Sequence, residues 1–294
     1  MAPRVWLTIP TFNELGNVER IVRDAGAQLD RIVPGDYWIL VVDDASPDGT
    51  GELAEQLAAE LPAVEVLHRG VKQGLGRAYL AGFERALDAG AELVVVMDAD
   101  YSHDPAYLPQ LLAAAEDSDL VLGSRYVTGG GIAHWPPLRR LLSRAGSLYA
   151  RTILGVGVRD LTGGFRCIRR EVLEQVELRT LRSQGYVFNI ELTFRALRAG
   201  CRVKEIPIVF SDRTVGESKI SLPVAIEALW LVPVLRFPSW RPRRQGRRIP
   251  ASSASAGAAP AGGGDGGRPL DHLESDGGGA VPRERERPLS RRGA

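Results

Sequence analysis

A chain of 294 residues, 44% hydrophobic and 25% charged, is long enough for one large soluble domain or two small ones. Its formal net charge of +1 gives no footprint for a nucleic-acid partner, and Cys167 and Cys201 supply neither a disulfide framework nor metal-site spacing. The N-terminal MAPRVWLTIPTF is too short an apolar run for a signal peptide, and no stretch reaches the roughly 18–20 apolar residues of a membrane span. A reducing, cytoplasmic setting is the expectation.

Apolar strand-like runs alternate with helical patterns from the start of the chain. VWLTI (5–9) precedes a helical stretch near 16–30, and WILVV (38–42) leads through SPDGT into GELAEQLAAEL. VEVLH (64–68) precedes GLGRAYLAGFERALDAG, LVVVM (93–97) precedes DPAYLPQLLAAAE, and DLVLG (119–123) follows. Short continuous apolar strands separated by helices of ten to fifteen residues predict βαβ units and a mostly parallel sheet covered on both faces. Such sheets bind ligands outside the C-terminal ends of their strands, where Asp43, Asp44, Asp98 and Asp100 fall. Residues i and i+2 of a strand point the same way, so Asp98 and Asp100 are expected to converge on one ligand or cation. The plain alternative is a polar turn at a strand end.

Beyond Arg125 the pattern loosens. GGGIAHWPPLRRLLSRAGS reads as a Gly- and Pro-rich connection into a basic helix, followed by RDLTGGFRCIRR, a helix near 187–199, and a strand VKEIPIVF (203–210). After the loop SDRTVGESKI comes LPVAIEALWLVPVLRF (222–237), an apolar segment too short to span a bilayer and carrying Glu227. Five arginines follow within 241–248, which suits an interfacial segment on an anionic membrane; a core helix followed by a solvated tail fits equally well. From Arg241 the chain is rich in Gly, Ala, Pro, Ser and Arg and is expected to be disordered. The tail's 11 arginines against 6 acidic residues leave the first 240 residues mildly acidic.

No nucleophile-and-base triad can be assembled, and His68, His103, His134 and His272 show no metal spacing. GLGRAY (74–79) has Tyr79 where a dinucleotide fingerprint needs its third glycine, so Gly74 and Gly76 read first as the start of a helix, with a donor-facing role second. What remains is an acidic rim opposite a basic set of Arg125, Arg139, Arg140, Arg213 and Lys219. Carboxylates with a hard cation suit a diphosphate, and a separate arginine group suits a second phosphate. That pattern points to transfer from a nucleotide-diphosphate donor to a phosphate acceptor.

IPTFNE (9–14), VVDDASPDGT (41–50), MDADYSHDP (97–105), GSRY (123–126), DLTGGFR (160–166) and RTVGESK (213–219) occur in this order. Together, over residues 4–235, they resemble the inverting glycosyltransferase family 2, and within it the polyprenol-phosphate (dolichol-phosphate) mannosyltransferases. The resemblance implies a GT-A-type nucleotide-sugar-binding fold over 1–240, a GDP-mannose donor, Mg2+ or Mn2+, and a polyprenyl phosphate acceptor. By motif position it implies donor contacts from Pro10, Phe12, Glu14, Val42, Asp44, Asp98, Ala99 and Asp100. Relatives mostly have Tyr where this chain has Phe12, which removes a hydroxyl and leaves ring stacking. Asp98, Asp100 and Ser102 are implied at the metal, and Arg125, Arg139 and Ser143 near the acceptor phosphate. Arg213 and Lys219 are implied in a loop closing over the diphosphate; Asp100, Arg125, Arg213 and Lys219 form the implied catalytic set.

An acceptor phosphate is already anionic at neutral pH and needs no general base, which fits the lack of a catalytic histidine. In-line attack on an α-linked donor then gives a β-mannosyl phosphate. Asp160 is expected to anchor a loop. Contact with the lipid acceptor is expected through 222–248, a membrane-embedded partner subunit, or both. The rivals are a polyprenol-phosphate glucosyltransferase using a UDP-sugar, a non-catalytic module that binds a membrane partner, and a nucleic-acid binder. The last rests only on tail arginines with no interleaved aromatics.

Overall fold

A computed structural model describes residues 3–181, 183, 185–211 and 222–237. Arg213, Lys219 and the tail from 241 onward lie outside the described residues. In chain order the first half runs β1 (Val5–Thr11), α1 (Val18–Ile32), β2 (Tyr37–Asp43), α2 (Thr50–Glu60), β3 (Val64–His68), α3 (Leu75–Asp88), β4 (Leu93–Val96) and α4 (Leu108–Ala114). The second half adds β5 (Leu120–Ser124), β6 (Gly131–Ile132), α5 (Pro137–Leu154), β7 (Arg166–Arg169), α6 (Arg170–Gln175), α7 (Gly185–Arg198), β8 (Val203–Pro207), β9 (Val209–Phe210) and α8 (Leu222–Arg236).

Seven strands form one sheet in the order β3-β2-β1-β4-β7-β5-β8. Every pairing is parallel except those of β7, which runs antiparallel between β4 and β5. The sheet is covered on both faces, so β1, β2, β4 and β5 are almost continuously apolar and their side chains divide between two cores, while the edge strands β3 and β8 carry charged residues. In β1, Val5, Leu7 and Ile9 pack with Ile21, Val22 and Leu29 of α1, while Trp6 packs with Phe83 of α3 on the other face. Helix α1 earns its place by spacing: Val18, Ile21, Val22, Ala25 and Leu29 are buried along one stripe. Gly82 lets α3 lie close to the sheet, because a Cβ there would sit 2.4 Å from Thr8 Cγ2.

Two expected elements are corrected. The single strand expected over 203–210 is divided at Ile208: β8 continues the sheet beside β5, and β9 pairs with β6 in a separate two-stranded sheet. Asp98 and Asp100 lie beyond the end of β4 at Val96, in a turn where Tyr101 adopts φ 60. Strand alternation is therefore not what orients them.

Candidate active site

The C-terminal ends of β1, β2 and β4, with the start of α3, enclose a cavity of about 230 Å³. Pro10, Phe12, Glu14, Asp44, Asp98, Ala99 and Asp100 line it, together with Gly74. Seven of the residues implied at the donor are thus brought together. Val42 is the exception. Its side chain is fully buried in the core against α3, with Cγ2 near Gly82, and does not reach the cavity.

The loop carrying Phe12 and Glu14 is fastened by the segment SPDGT. Glu14 N–H donates to Thr50 Oγ1 at 2.9 Å, Thr50 Oγ1 donates to Asp48 Oδ1 at 2.6 Å, and Leu15 N–H donates to Asp48 Oδ2 at 3.2 Å. Asp43 accepts from Thr11 Oγ1 and from Ser46 N–H and Oγ. Asp44 accepts from Arg69 Nη1 and from the backbone N–H groups of Gln73 and Gly74. The expected acidic rim is therefore only half a rim: Asp43 and Asp44 are committed as struts. What Asp44 shapes is the 69–74 loop, which sets Lys72 Nζ 3.5 Å from the centre of the Phe12 ring. Gly74 ends that loop at φ 89, a conformation glycine adopts without strain, and α3 begins.

Asp98 and Asp100 are set by the turn and its surroundings. Tyr79 OH donates to Asp98 Oδ1 at 3.2 Å, and Asp98 N–H donates to His103 Nδ1 at 3.1 Å. His103 is buried and stacked on Phe165, with ring centres 5.1 Å apart. Burial pulls its imidazole below the ordinary value against the opposing pull of Asp98 and Asp100, so the ring is neutral and its Nδ1 is available as an acceptor. Gly164 lies against this group: a Cβ there would stand 3.1 Å from Tyr79 Oη, 3.3 Å from His103 Cε1 and 3.5 Å from Asp98 Oδ2. Asp100 is buried and accepts from Ser102 N–H at 3.0 Å.

Asp98, Asp100 and Ser102 form an oxygen-only donor set, and the buried Ser102 Oγ has no hydrogen-bond partner among the described residues. Oxygen donors suit a hard divalent cation such as Mg2+ or Mn2+. Among the described residues no three His, Cys, Asp or Glu side chains cluster into a complete cage. An ion here would complete its shell with oxygens of a bound anion, as is usual where a diphosphate is the substrate.

The basic residues divide. Arg125 is buried and donates from Nε to Asp160 Oδ2 and from Nη2 to Asp160 Oδ1, both at 2.7 Å, while its backbone N–H donates to Oδ2 at 3.0 Å. Burial would raise the Asp160 carboxyl, but the Arg125 charge, these hydrogen bonds and one from Thr162 hold it below the ordinary carboxylate range. The anchoring role expected for Asp160 is what the structure contains. Arg139 lies 3.9 Å over the Trp135 ring, and Ser143 Oγ accepts from Tyr126 OH at 2.7 Å. Trp135 meets Phe210 edge-on, and Phe210 lies under Arg125 and against His103. Arg125 and Arg139 therefore join the carboxylates through a continuous run of aromatic rings, and Ser143 is tied to Arg125 through Tyr126, whose ring centre lies 5.2 Å from the Arg125 guanidinium. Arg140 is exposed on α5 and stands outside this group.

Sequence reasoning missed Lys72, Tyr79 and Arg166 and assigned His103 no role. Arg166 is 1% exposed; its Nη2 donates to the Gly163 carbonyl, and its Nε has no partner among the described residues. Burial lowers its pKa to about 10 despite the opposing pull of Tyr79, Asp160 and Asp98. None of these residues belongs to a spacing pattern. The Gly-Gly-Phe-Arg run and the His following the carboxylate pair were the only cues.

The glycosyl transferase family 2 profile matches residues 6–177. An undecaprenyl-phosphate mannosyltransferase of Micrococcus luteus is 47% identical over 77% of this chain and 91% of its own. A polyprenol monophosphomannose synthase of Mycolicibacterium smegmatis is 47% identical over 78% of this chain and 85% of its own. The solved glucosyl-3-phosphoglycerate synthase of Mycobacterium tuberculosis, in complex with Mn2+, uridine diphosphate and glucosyl-3-phosphoglycerate, superposes with a TM-score of 0.56. That match covers 79% of this chain and 81% of that one at 19% identity, a likeness of fold alone.

Proposed function

The chain belongs to glycosyl transferase family 2, and on that footing we propose that it transfers mannose from GDP-mannose to a polyprenyl phosphate with inversion, giving a β-mannosyl phosphate lipid. It is a glycosyltransferase of GT-A-type α/β fold. The observation that carries the fuller reading is the continuity between the carboxylate cavity and the Arg125–Arg139–Ser143 group through Phe210 and Trp135. One pole suits a diphosphate and the other a second anion, with the reacting carbon between them.

In this reading Pro10, Phe12 and Glu14 hold the nucleoside. Asp98, Asp100 and Ser102 would hold Mg2+ or Mn2+, which when bound neutralises the diphosphate leaving group. His103 and Tyr79 fix Asp98 by its backbone and its side chain, so the carboxylate is aimed before the donor arrives. The Arg125–Asp160 pair carries no net charge; it stiffens the acceptor side, while Arg139 supplies the attraction for the incoming phosphate. A phosphate oxygen attacks the anomeric carbon from the face opposite the diphosphate. The new C–O bond forms as the old one breaks, the electron pair leaves with GDP, and no proton moves. Arg213 and Lys219 are proposed to draw charge off the leaving diphosphate. Residues 1–240 form the catalytic domain in this proposal, and 241–294 an appendage to it. The enzyme works at the cytoplasmic surface of a membrane, where its acceptor resides.

The test is transfer of labelled mannose from GDP-mannose to a short polyprenyl phosphate, with and without Mg2+, beside Asp100→Asn. The expected result is metal-dependent transfer that falls by about 100- to 1,000-fold in the variant, the scale of losing one preorganised electrostatic group. UDP-glucose should not compete. A product of retained anomeric configuration, or transfer from UDP-glucose in preference, would overturn the proposal.

A further inference from the structure

Helix α7 opens against the donor cavity, with Gly185 and Asn189 on its wall. Residues four apart share one face of a helix, so the two form a single strip along the cavity. Around Asn189 the helix is apolar: Val187, Phe188, Ile190 and Leu192 are all buried. Asn189 itself is 2% exposed. Its Nδ2 donates one long hydrogen bond, 3.5 Å to the Thr162 carbonyl, and its Oδ1 accepts none among the described residues. A carboxamide offers two N–H donors and an oxygen with two lone pairs, so most of this one's capacity is unused. A buried amide with bonds unmade is costly, and in a cavity wall a ligand can complete them.

Other polar side chains on the wall are already committed. Thr11 Oγ1 donates to the Val42 carbonyl and to Asp43, Asp44 holds the 69–74 loop, Tyr79 OH donates to Asp98, and Lys72 lies on the Phe12 ring. Asn189 also stands on the path between the two poles of the site. A Cβ on Gly163 would stand 3.7 Å from Asp160 Oδ1, and one on Gly164 would stand 3.5 Å from Asp98 Oδ2. The turn at 162–164 thus runs from the acceptor-side carboxylate to the donor-side one, and Asn189 is bonded to its first residue. Arg166 rivets helix to turn. Its Nη2 donates to the Gly163 carbonyl, and its Nη1 donates to the Asn189 carbonyl and to Thr193 Oγ1, each at 3.5 Å. The Asn189 backbone is thereby fixed beside the space that separates a bound diphosphate from a second anion.

We propose that Asn189 is a specificity-determining residue that reads two adjacent hydroxyls of the donor hexose, one donating to Oδ1 and the other accepting from Nδ2. This deepens the functional reading given above and rests on it for a hexose in that place. Neighbouring hydroxyls suit a carboxamide, because each can give and take a hydrogen bond and the amide presents an acceptor beside a donor in one plane. Contacts from Pro10, Phe12 and Glu14 hold a nucleoside whatever sugar it carries. Asn189 is the group that tells one sugar from another. A sugar lacking either hydroxyl leaves the buried amide unpaired, so it is rejected by more than the loss of one contact. With the ring held at two hydroxyls, the anomeric carbon keeps one orientation toward the acceptor side.

The experiment is calorimetry of the full chain in Mn2+ with GDP, GDP-mannose and the 2-, 3-, 4- and 6-deoxy forms of GDP-mannose, on the parent and on Asn189→Ala. In the parent, two deoxy forms altered at adjacent carbons should bind about tenfold or more weaker than GDP-mannose. Asn189→Ala should bind GDP-mannose about tenfold or more weaker than the parent does, and GDP within about twofold of it. The same two deoxy forms should then cost the variant nothing further, because the interaction is already gone. Asn189→Leu keeps the bulk of the side chain, should show the same pattern, and carries the comparison if the alanine variant has lost its melting transition. Deoxy losses that persist in full in the variants overturn the proposal. So do equal losses for GDP and GDP-mannose, or a parent indifferent to every missing hydroxyl. A parent that binds UDP-glucose in place of GDP-mannose overturns the mannose reading and not this one, and the deoxy forms of UDP-glucose then run the same comparison.

Discussion

Asp44 and Asp160 each take an arginine at the edge of the site, yet they spend their hydrogen bonds differently. Asp44 accepts from Arg69 and from two backbone N–H groups, so it bends the 69–74 loop and positions Lys72. Asp160 accepts from the backbone, Nε and Nη2 of one residue, so it holds a guanidinium in place. On the donor side, carboxylates shape backbone and leave Asp98 and Asp100 facing the cavity. On the acceptor side, cations are held by a buried carboxylate or by aromatic faces. In the proposed reading, a diphosphate is met by fixed loops around a few aimed oxygens, and a lipid-borne phosphate by fixed cations beside aromatic rings.

The largest break in that comparison should come from Asp160→Ala. Asp160 is fully buried and Arg125 nearly so, so the variant strands a buried charge. Unfolding free energy should drop by about 3–5 kcal/mol, read by urea denaturation. The sign with pH follows from the lowered Asp160 carboxyl. Its stabilisation is complete above the unfolded value of about 3.9 and fades as pH falls through the lower folded value. Arg125, Arg166 and His103 face this carboxyl, and Glu205 accepts from the Asp160 backbone N–H, so the part of the acid limb that the variant loses is the part to compare. Asp44→Ala should cost less, about 1–3 kcal/mol. Arg69 keeps Gln73 as a partner, and Asp44 lines a cavity that water can enter. If Asp44→Ala costs as much as Asp160→Ala, the two carboxylates do the same work and the distinction fails.

A smaller effect is expected at His103. His103→Phe keeps the stack on Phe165 but removes the acceptor for Asp98 N–H. His103→Asn offers an oxygen near the place of Nδ1. GDP-mannose affinity in Mn2+ should weaken about fivefold to tenfold in the Phe variant, the scale of one unmade hydrogen bond, and recover partly in the Asn variant. Equal loss in both would mean that His103 serves only packing.

Strands β1, β2, β4 and β5 were legible because each is a short, almost continuous apolar run followed by polar residues, as with WILVV and LVVVM. Strand β7 was not: it is four residues long, begins and ends in Arg, and is fixed by β4 and β5 on either side rather than by its own pattern. The carboxylate pair was legible as chemistry but not as geometry, since the chain turns after Val96 and the aim of Asp98 comes from Tyr79 and His103, 19 and 5 residues away in sequence. Arg125, Arg139 and Ser143 were found through resemblance to a family. Their union depends on Trp135 and Phe210, which are distant in sequence and share no spacing. The leucines of α5 are plain in PLRRLLSRAGSL, but whether such a stripe enters a core or stays exposed is decided by burial, a property of the fold.

The finest test of the donor side is Lys72→Met. Lys72 is exposed, and its described contact is with one face of Phe12, so it contributes little to folding. Its value lies in holding that ring flat at the cavity wall. A cation over an aromatic ring at an exposed site is worth about 0.5–1 kcal/mol. The variant should therefore weaken nucleotide binding by roughly twofold to fivefold, measured by calorimetry with GDP, and leave the melting temperature of the free protein unchanged. Phe12→Leu should remove both the stack and the reason for Lys72, so adding Lys72→Met to it should cost nothing more. Additive losses in that double variant would show that Lys72 reaches the nucleotide directly and that the ring contact is incidental. The donor pole would then share with the acceptor pole the use of a cation held against an aromatic face, as Arg139 is held on Trp135.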